Sequence, residues 1–250
     1  FEADTHASFP NDPRNIARRA EEYMCSSGIA DESRWGPEFE FYIFDSVRYE
    51  SGVNRASYEV MSREADWNSA EGGHGHYIPP HGGYHAIPPK DQLFNLRADM
   101  VRRLETMGVP VKYHHHEVGG PGQVEIETSM MGLIQSGDAT MMIKYVTKMA
   151  AHLRGQTVTF MPKPLFGEAG SGMHFHQHLF KGGKNLFYDK NGYGSLSKEA
   201  LWYVGGLLAH GPALLALTNP STNSYRRLVP GYEAPVNAFF SLGNRSAAVR

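Results

Sequence analysis

The chain predicts a mixed fold of antiparallel strands and amphipathic helices, and three patterns carry that expectation. Glu38, Glu40 and Tyr42 alternate with Phe39, Phe41 and Ile43, the two-residue repeat of a strand with one acidic and one greasy face. Residues 109–118 and 123–127 flank Gly119-Gly-Pro-Gly122 and read as a hairpin with carboxylates on both arms, Val124 and Ile126 inward and Glu125 outward. Leu93, Leu96, Met100, Val101, Leu104 and Met107 recur at helical spacing up to Gly108.

In chain order, Asp12 and Pro13 start a surface helix carrying Ile16, Ala17, Ala20, Tyr23 and Met24, which Gly28 ends. The acidic strand follows. Residues 46–89 show little periodicity and many Gly, Pro and His, so they read as a long surface excursion, with His74 and His76 as weak metal candidates. After the helix and hairpin above, 133–153 forms another helix whose methionine-rich stripe (Met141, Met142, Met149) reads as core filler.

The stretch 160–179 passes from Pro162 and Pro164 through Gly167, Gly170 and Gly172 into a strand where His174, His176 and His178 share one face. Two tight turns at 181–185 and 189–192 precede a helix capped by Ser197, and residues 222–236 read as a loop holding two arginines and a glutamate.

Composition bounds the function. Of 250 residues, 41% are hydrophobic and 20% charged, with a net charge of −2, which provides no global field for nucleic acid or an anionic membrane. The lone Cys25 cannot form an internal disulfide, and no apolar run approaches the roughly 20 residues that span a bilayer, so a cytoplasmic setting is expected. A start at Phe1 and a stop at Arg250 suggest a piece of a longer chain.

Glu38 and Glu40, Glu117 and Glu125, and His174 lie on separate strands. If those strands share a sheet, the carboxylates converge on one face, which requires cations among them. Oxygen-rich ligation with one imidazole suits magnesium or manganese, and with glycine turns and arginines nearby it is the equipment of phosphoryl transfer from ATP.

Five runs carry a resemblance: Gly36-Pro-Glu-Phe-Glu-Phe41, His115-His-Glu-Val-x-x-x-Gly-Gln-x-Glu125, Lys163-Pro-Leu-Phe-Gly-Glu-Ala-Gly-Ser-Gly-Met-His174, Asn223-Ser-Tyr-Arg-Arg-Leu-Val-Pro-Gly-Tyr-Glu-Ala-Pro235 and Asn244-Arg-Ser-Ala247. In this order they resemble glutamine synthetase, and most of all its bacterial type. The resemblance implies an α+β fold, guanido-kinase-like, whose curved antiparallel sheet is flanked by helices. Residues 1–250 would then be part of the catalytic domain, without the N-terminal β-grasp domain and the C-terminal portion.

By the same resemblance Glu40, Glu117 and Glu125 would hold one divalent ion, and Glu38 and His174 a second together with a glutamate beyond Arg250. His176, Gln177, His178, Arg245 and Arg250 would contact ATP, and Ala169, Gly170, Arg227, Glu233 and Arg245 would contact substrate. The catalytic pair would be Glu233 and Arg245, in a reaction that joins ammonia to glutamate through γ-glutamyl phosphate. Relatives of the family that use polyamines or aromatic amines supply an alternative acceptor, and a catalytically silent assembly protein a third reading. The expected assembly is a dodecamer of two stacked hexameric rings, with the isolated chain inactive. His178, Ala169, Lys112 and Gly243 depart from residues common in the family.

Overall fold

A computed structural model describes residues 1–68, 75–231 and 233–250. His74, one of the two weak metal candidates, lies outside the described residues.

The long acidic strand, β1 (Glu32–Phe44), organises the molecule. Along one edge it pairs with β5 (Gln123–Thr128), which hairpins to β4 (Val111–His116) and is followed by β6 (Met131–Gly132), also on β1. Along the other edge it pairs with β8 (Met173–Lys181) and, past the end of β8, with β7 (Thr157–Thr159). The short β9 (Lys184–Asn185) closes that side, giving the antiparallel order β4-β5-β1-β8-β9.

One face of this sheet is covered by α2 (Phe94–Thr106) and α3 (Leu133–His152). Phe39, Phe41 and Ile43 of β1 and Val124 and Ile126 of β5 meet Leu96, Met100 and Leu104 of α2 and Ala139, Ile143 and Val146 of α3. Each fully buried side chain of this kind stabilises by about 1.5–3 kcal/mol relative to its exposed state. Period-two alternation therefore commits Glu38, Glu40, Glu125 and Glu127 to the opposite face.

The expected core role of the methionine stripe in α3 fails for Met141 and Met149. They are 72% and 39% exposed, because the helix turns Ala139, Ile143, Val146, Ala150 and Ala151 toward the sheet instead. A helix with apolar residues on several sides does not reveal from its sequence which stripe the sheet takes. The first helix, α1 (Pro13–Ser26), is a surface helix as expected: Asp12 accepts from Asn15 N at 3.2 Å, and none of its residues is buried.

The excursion after β1 has more regular structure than expected. Ser46–Ser51 (β2) and Ala56–Met61 (β3) form a hairpin, six pairs in register, whose two faces are largely exposed and so leave little hydrophobic signal. Its return is pinned by Glu64, fully buried, which accepts from the backbone N–H of Gln92 at 2.6 Å and of Leu93 at 3.2 Å and pairs with His116 Nε2 at 3.0 Å.

Beyond β9 come α4 (Lys198–Ala209), capped by Ser197 as expected, and α5 (Gly211–Thr218). No single described helix is long and apolar enough to cross a membrane; α4 and α5 together reach that length but are bent by 68°. The segment read as a loop from 222 opens instead with a helix, α6 (Thr222–Arg227). Ser221 and Ser224 form a reciprocal capping box there, which nucleates a turn that has no apolar repeat to announce it. Two short parallel strands, β10 (Asn237–Phe240) and β11 (Ala247–Val249), finish the chain.

Candidate active site

The solvent side of the sheet carries two rows of polar groups at right angles to the strands. In the first, His115 of β4 stands opposite Glu125 of β5, and Glu125 stands opposite Glu40 of β1. In the second, Tyr113, Glu127, Glu38 and His174 follow one another across β4, β5, β1 and β8. The strands expected to converge do so.

Glu117 lies just past β4, held by an N–H donated from Val118 to its own Oε2 at 2.8 Å. One ligand atom each of His115, Glu117 and Glu125 lies within 4.8 Å of the others, a spacing that an ion with bonds of about 2.0–2.6 Å can bridge. Glu40 closes the group: its Oε1 is 3.7 Å from His174 Nδ1, and its Oε2 accepts the N–H of Gly172 at 2.5 Å. Burial, and then the charge of Glu40, push both Glu117 and Glu125 well above the usual carboxylate range. Like charges brought together out of water hold protons until a cation replaces them.

Glu38 behaves oppositely. His174 Nδ1 at 3.0 Å and His176 Nε2 at 2.5 Å hold its carboxyl well below the usual range. Both imidazoles are raised: for His176 the bond to Glu38 exceeds desolvation, and for His174 burial, its largest single influence, is overcome by the Glu38 bond together with the charges of Glu40 and Glu38. Arg227 reaches this corner from α6 and places Nη2 3.3 Å from His174 Nε2. A Cβ on Gly170 would lie 2.6 Å from Arg227 Cγ, so the glycine there admits the arginine. Gly170 O accepts from Gln123 Nε2 at 2.9 Å, and Ala169 O from Tyr42 Oη at 2.6 Å, fixing the loop to the sheet.

Glu233 and Arg245 form an exposed pair at 2.7 Å, with Glu233 at φ 56° and the guanidinium 5.8 Å from the ring of Tyr84. Glu233 is near enough to add to the upward push on Glu117. His178 Nδ1 contacts Asn185 Nδ2 at 3.0 Å, while the side chain of Gln177 is bonded by Tyr203 on the other face from His176 and His178. The side chains of the run 176–178 thus do not share one surface, and Arg250 is exposed beyond β11.

Sequence reasoning passed over two residues. Glu127 is 1% exposed and sits within 4.8 Å of Glu38 and His176 in the sense above; its position two residues after Glu125 was a same-face signal. His115 likewise sits two residues before Glu117 and joins its group. The donor set of carboxylate oxygens and imidazoles fits divalent cations of the magnesium and manganese class, and the crowding of Glu117, Glu125 and Glu40 supplies the electrostatic reason.

An antiparallel sheet with helices on one face and an open face of clustered carboxylates and imidazoles on the other, spaced as candidate metal ligands, defines an α+β domain. The chain belongs to the glutamine synthetase catalytic-domain family, whose pattern matches residues 10–250. Glutamine synthetase of Frankia alni is 53% identical over 250 residues, covering 98% of this chain and 53% of the relative. That of Methylococcus capsulatus is 49% identical over 253 residues, covering 100% and 54%. The cryo-electron-microscopy structure of Plasmodium falciparum glutamine synthetase superposes with a TM-score of 0.89 at 33% identity, covering 96% of this chain and 48% of that one. The chain spans about half the length of the curated relatives it matches.

Proposed function

We propose that this chain carries the cation- and substrate-binding face of an enzyme that joins ammonia to L-glutamate at the expense of ATP, through γ-glutamyl phosphate. The observation that carries the reading is the cross-strand placement of Glu40 opposite Glu125, with Glu117 beside them, on the open face of the sheet. Family membership supports the same reaction.

Glu40, Glu117 and Glu125 would hold one magnesium or manganese ion, and Glu38 and His174 a second. Such ions neutralise phosphate charge and polarise the transferred phosphoryl group. Arg245 offsets the negative charge that develops as the γ-carboxylate of glutamate attacks the terminal phosphate. Arg227, with its guanidinium against His174, and the backbone of Ala169 and Gly170 orient the amino acid. His176, Gln177, His178 and Arg250 line the nucleotide's approach, Gln177 through its backbone. Glu233 attracts ammonium, accepts its proton and so frees the nucleophile that displaces phosphate.

The reading extends to a cytoplasmic dodecamer of two hexameric rings in which neighbouring copies complete each site, so that residues 1–250 alone are inactive. The apolar side chains exposed on α1, α3 and α5 and just past α3, among them Tyr23, Tyr145, Leu153 and Leu217, agree with burial against other segments or copies. The test is glutamine formation by the protein expressed from its complete reading frame, supplied with glutamate, ATP and ammonium. Glutamine and phosphate should appear in equal amounts. Ligation of a polyamine or aromatic amine in preference to ammonium moves the reading to a γ-glutamyl ligase of different acceptor, and phosphate release without any amide product refutes it.

A further inference from the structure

His116 is wholly buried, yet it stands in the chain between His115 and Glu117, whose side chains meet on the open face. The alternation of β4 turns its ring to the helix-covered side, where its register partner is Val124. Nδ1 lies 2.7 Å from the backbone carbonyl of Glu117, and Nε2 lies 3.0 Å from Glu64 Oε2. A carbonyl only accepts, so Nδ1 donates to it, and Nε2 donates to the carboxylate. Glu64 is held in turn, because its Oε1 accepts from the N–H groups of Gln92 and Leu93. An unbroken run of hydrogen bonds thus joins the approach to α2, through Glu64 and His116, to the backbone of Glu117.

Glu117 lies one residue past β4, where its N–H still reaches Gln123 O at 2.8 Å and its carbonyl turns to His116. A second segment is fastened at the same corner: Gly83 N–H donates to Val118 O at 3.1 Å, and His85 N–H to His116 O at 3.0 Å. A Cβ on Gly83 would clash with both Glu117 O and His116 Nδ1, so the backbone there packs directly on the bond between them. We propose that Glu64 and His116 are positioning residues for the site: His116 holds the Glu117 backbone from behind the sheet, Glu64 holds His116, and the Glu117 carboxylate is thereby presented to the ion it shares with Glu40 and Glu125. The inference rests on the preceding reading for that ion and assigns to it two residues which that reading does not use. Groups that orient a metal ligand from behind are worth about 10- to 100-fold in metal affinity.

The test measures manganese affinity, with manganese alone and no nucleotide, in the protein expressed from its complete reading frame, alongside its thermal midpoint in a chelator. The amide nitrogen of asparagine can take the place of Nδ1, and that of glutamine the place of Nε2. His116→Asn therefore keeps the bond to Glu117 O and gives up Glu64; it should lower the midpoint while binding manganese with nearly wild-type affinity. His116→Gln keeps Glu64 and gives up Glu117 O; it should weaken one manganese ion per chain by about 10- to 100-fold, with the other bound as in wild type. A role in packing alone would not make affinity follow the bond to Glu117 instead of the midpoint. A His116→Gln protein that binds every ion as wild type does overturns the inference, as does one that binds none, or affinity lost in step with the midpoint in both variants. Glu117→Gln should weaken the same ion as His116→Gln, and unchanged binding there would refute the ion site itself and the inference with it.

Discussion

Glu40 and Glu125 face each other across β1 and β5 as direct register partners, and the two side chains are almost wholly buried. Like charges so placed destabilise a sheet unless a proton or a cation joins them. Because burial and Glu40 raise Glu125 and Glu117 in the folded state, the folded protein holds protons that the unfolded chain releases. The associated stability is fully present below the ordinary carboxylate pKa and is lost as pH rises through the elevated folded values. In a chelator, the thermal midpoint should therefore fall as pH rises from acid through neutrality, and Glu125→Gln should flatten that fall. Excess magnesium or manganese should raise the wild-type midpoint near neutral pH, by about 2.7 kcal/mol of stability at a hundredfold excess over Kd, and raise it much less in Glu125→Gln. A midpoint that ignores both pH and metal would contradict this.

Asp91 and Arg97 are each nearly inaccessible and joined by two hydrogen bonds, at 2.9 and 2.6 Å. Asp91→Ala strands a buried guanidinium and should cost roughly 3–5 kcal/mol. Adding Arg97→Met should recover much of that loss, which denaturant midpoints of the single and double variants will measure.

A Cβ on Gly119 would clash with Tyr42 Oη and lie 2.8 Å from Gln123 Oε1. Those two groups tie the loop at Ala169 and Gly170 to the sheet. Gly119→Ala should cost about 1–3 kcal/mol and loosen that loop, seen as faster proteolysis at residues 162–172. Unchanged stability and protection would show that the tie does not hold the loop.

Glu233 is half-exposed, pairs with Arg245, and belongs to none of the strands that carry Glu38, Glu40 and Glu125. Glu233→Ala should lower ammonia-dependent turnover by roughly 10² to 10⁴ in the complete protein, with manganese binding unchanged. Steady-state rates at varied ammonium decide it, and an unaltered turnover number removes Glu233 from proton transfer.

What was legible in the sequence is what one strong constraint controls. Phe39, Phe41 and Ile43 bury one face of β1, so their alternation with Glu38 and Glu40 announced strand, face and site together. The β2–β3 hairpin has no buried face, and α6 is set by one serine pair, so neither left a periodic trace. The methionines of α3 misled because an apolar side chain does not record which neighbour covers it. Glu127 was visible as a same-face acid, but its burial and its bond to Lys112 exist only once β4, β5 and β1 lie side by side.

On the proposed function, this face positions the γ-carboxylate of glutamate to attack ATP. The most direct measurement supplies glutamate labelled with heavy oxygen in its γ-carboxylate, together with ATP and ammonium, to the protein expressed from its complete reading frame, and analyses the released phosphate by mass spectrometry. The expected result is one labelled oxygen in each phosphate, at a rate equal to glutamine formation, and loss of both in Glu40→Gln. Glutamine formed with unlabelled phosphate would contradict it.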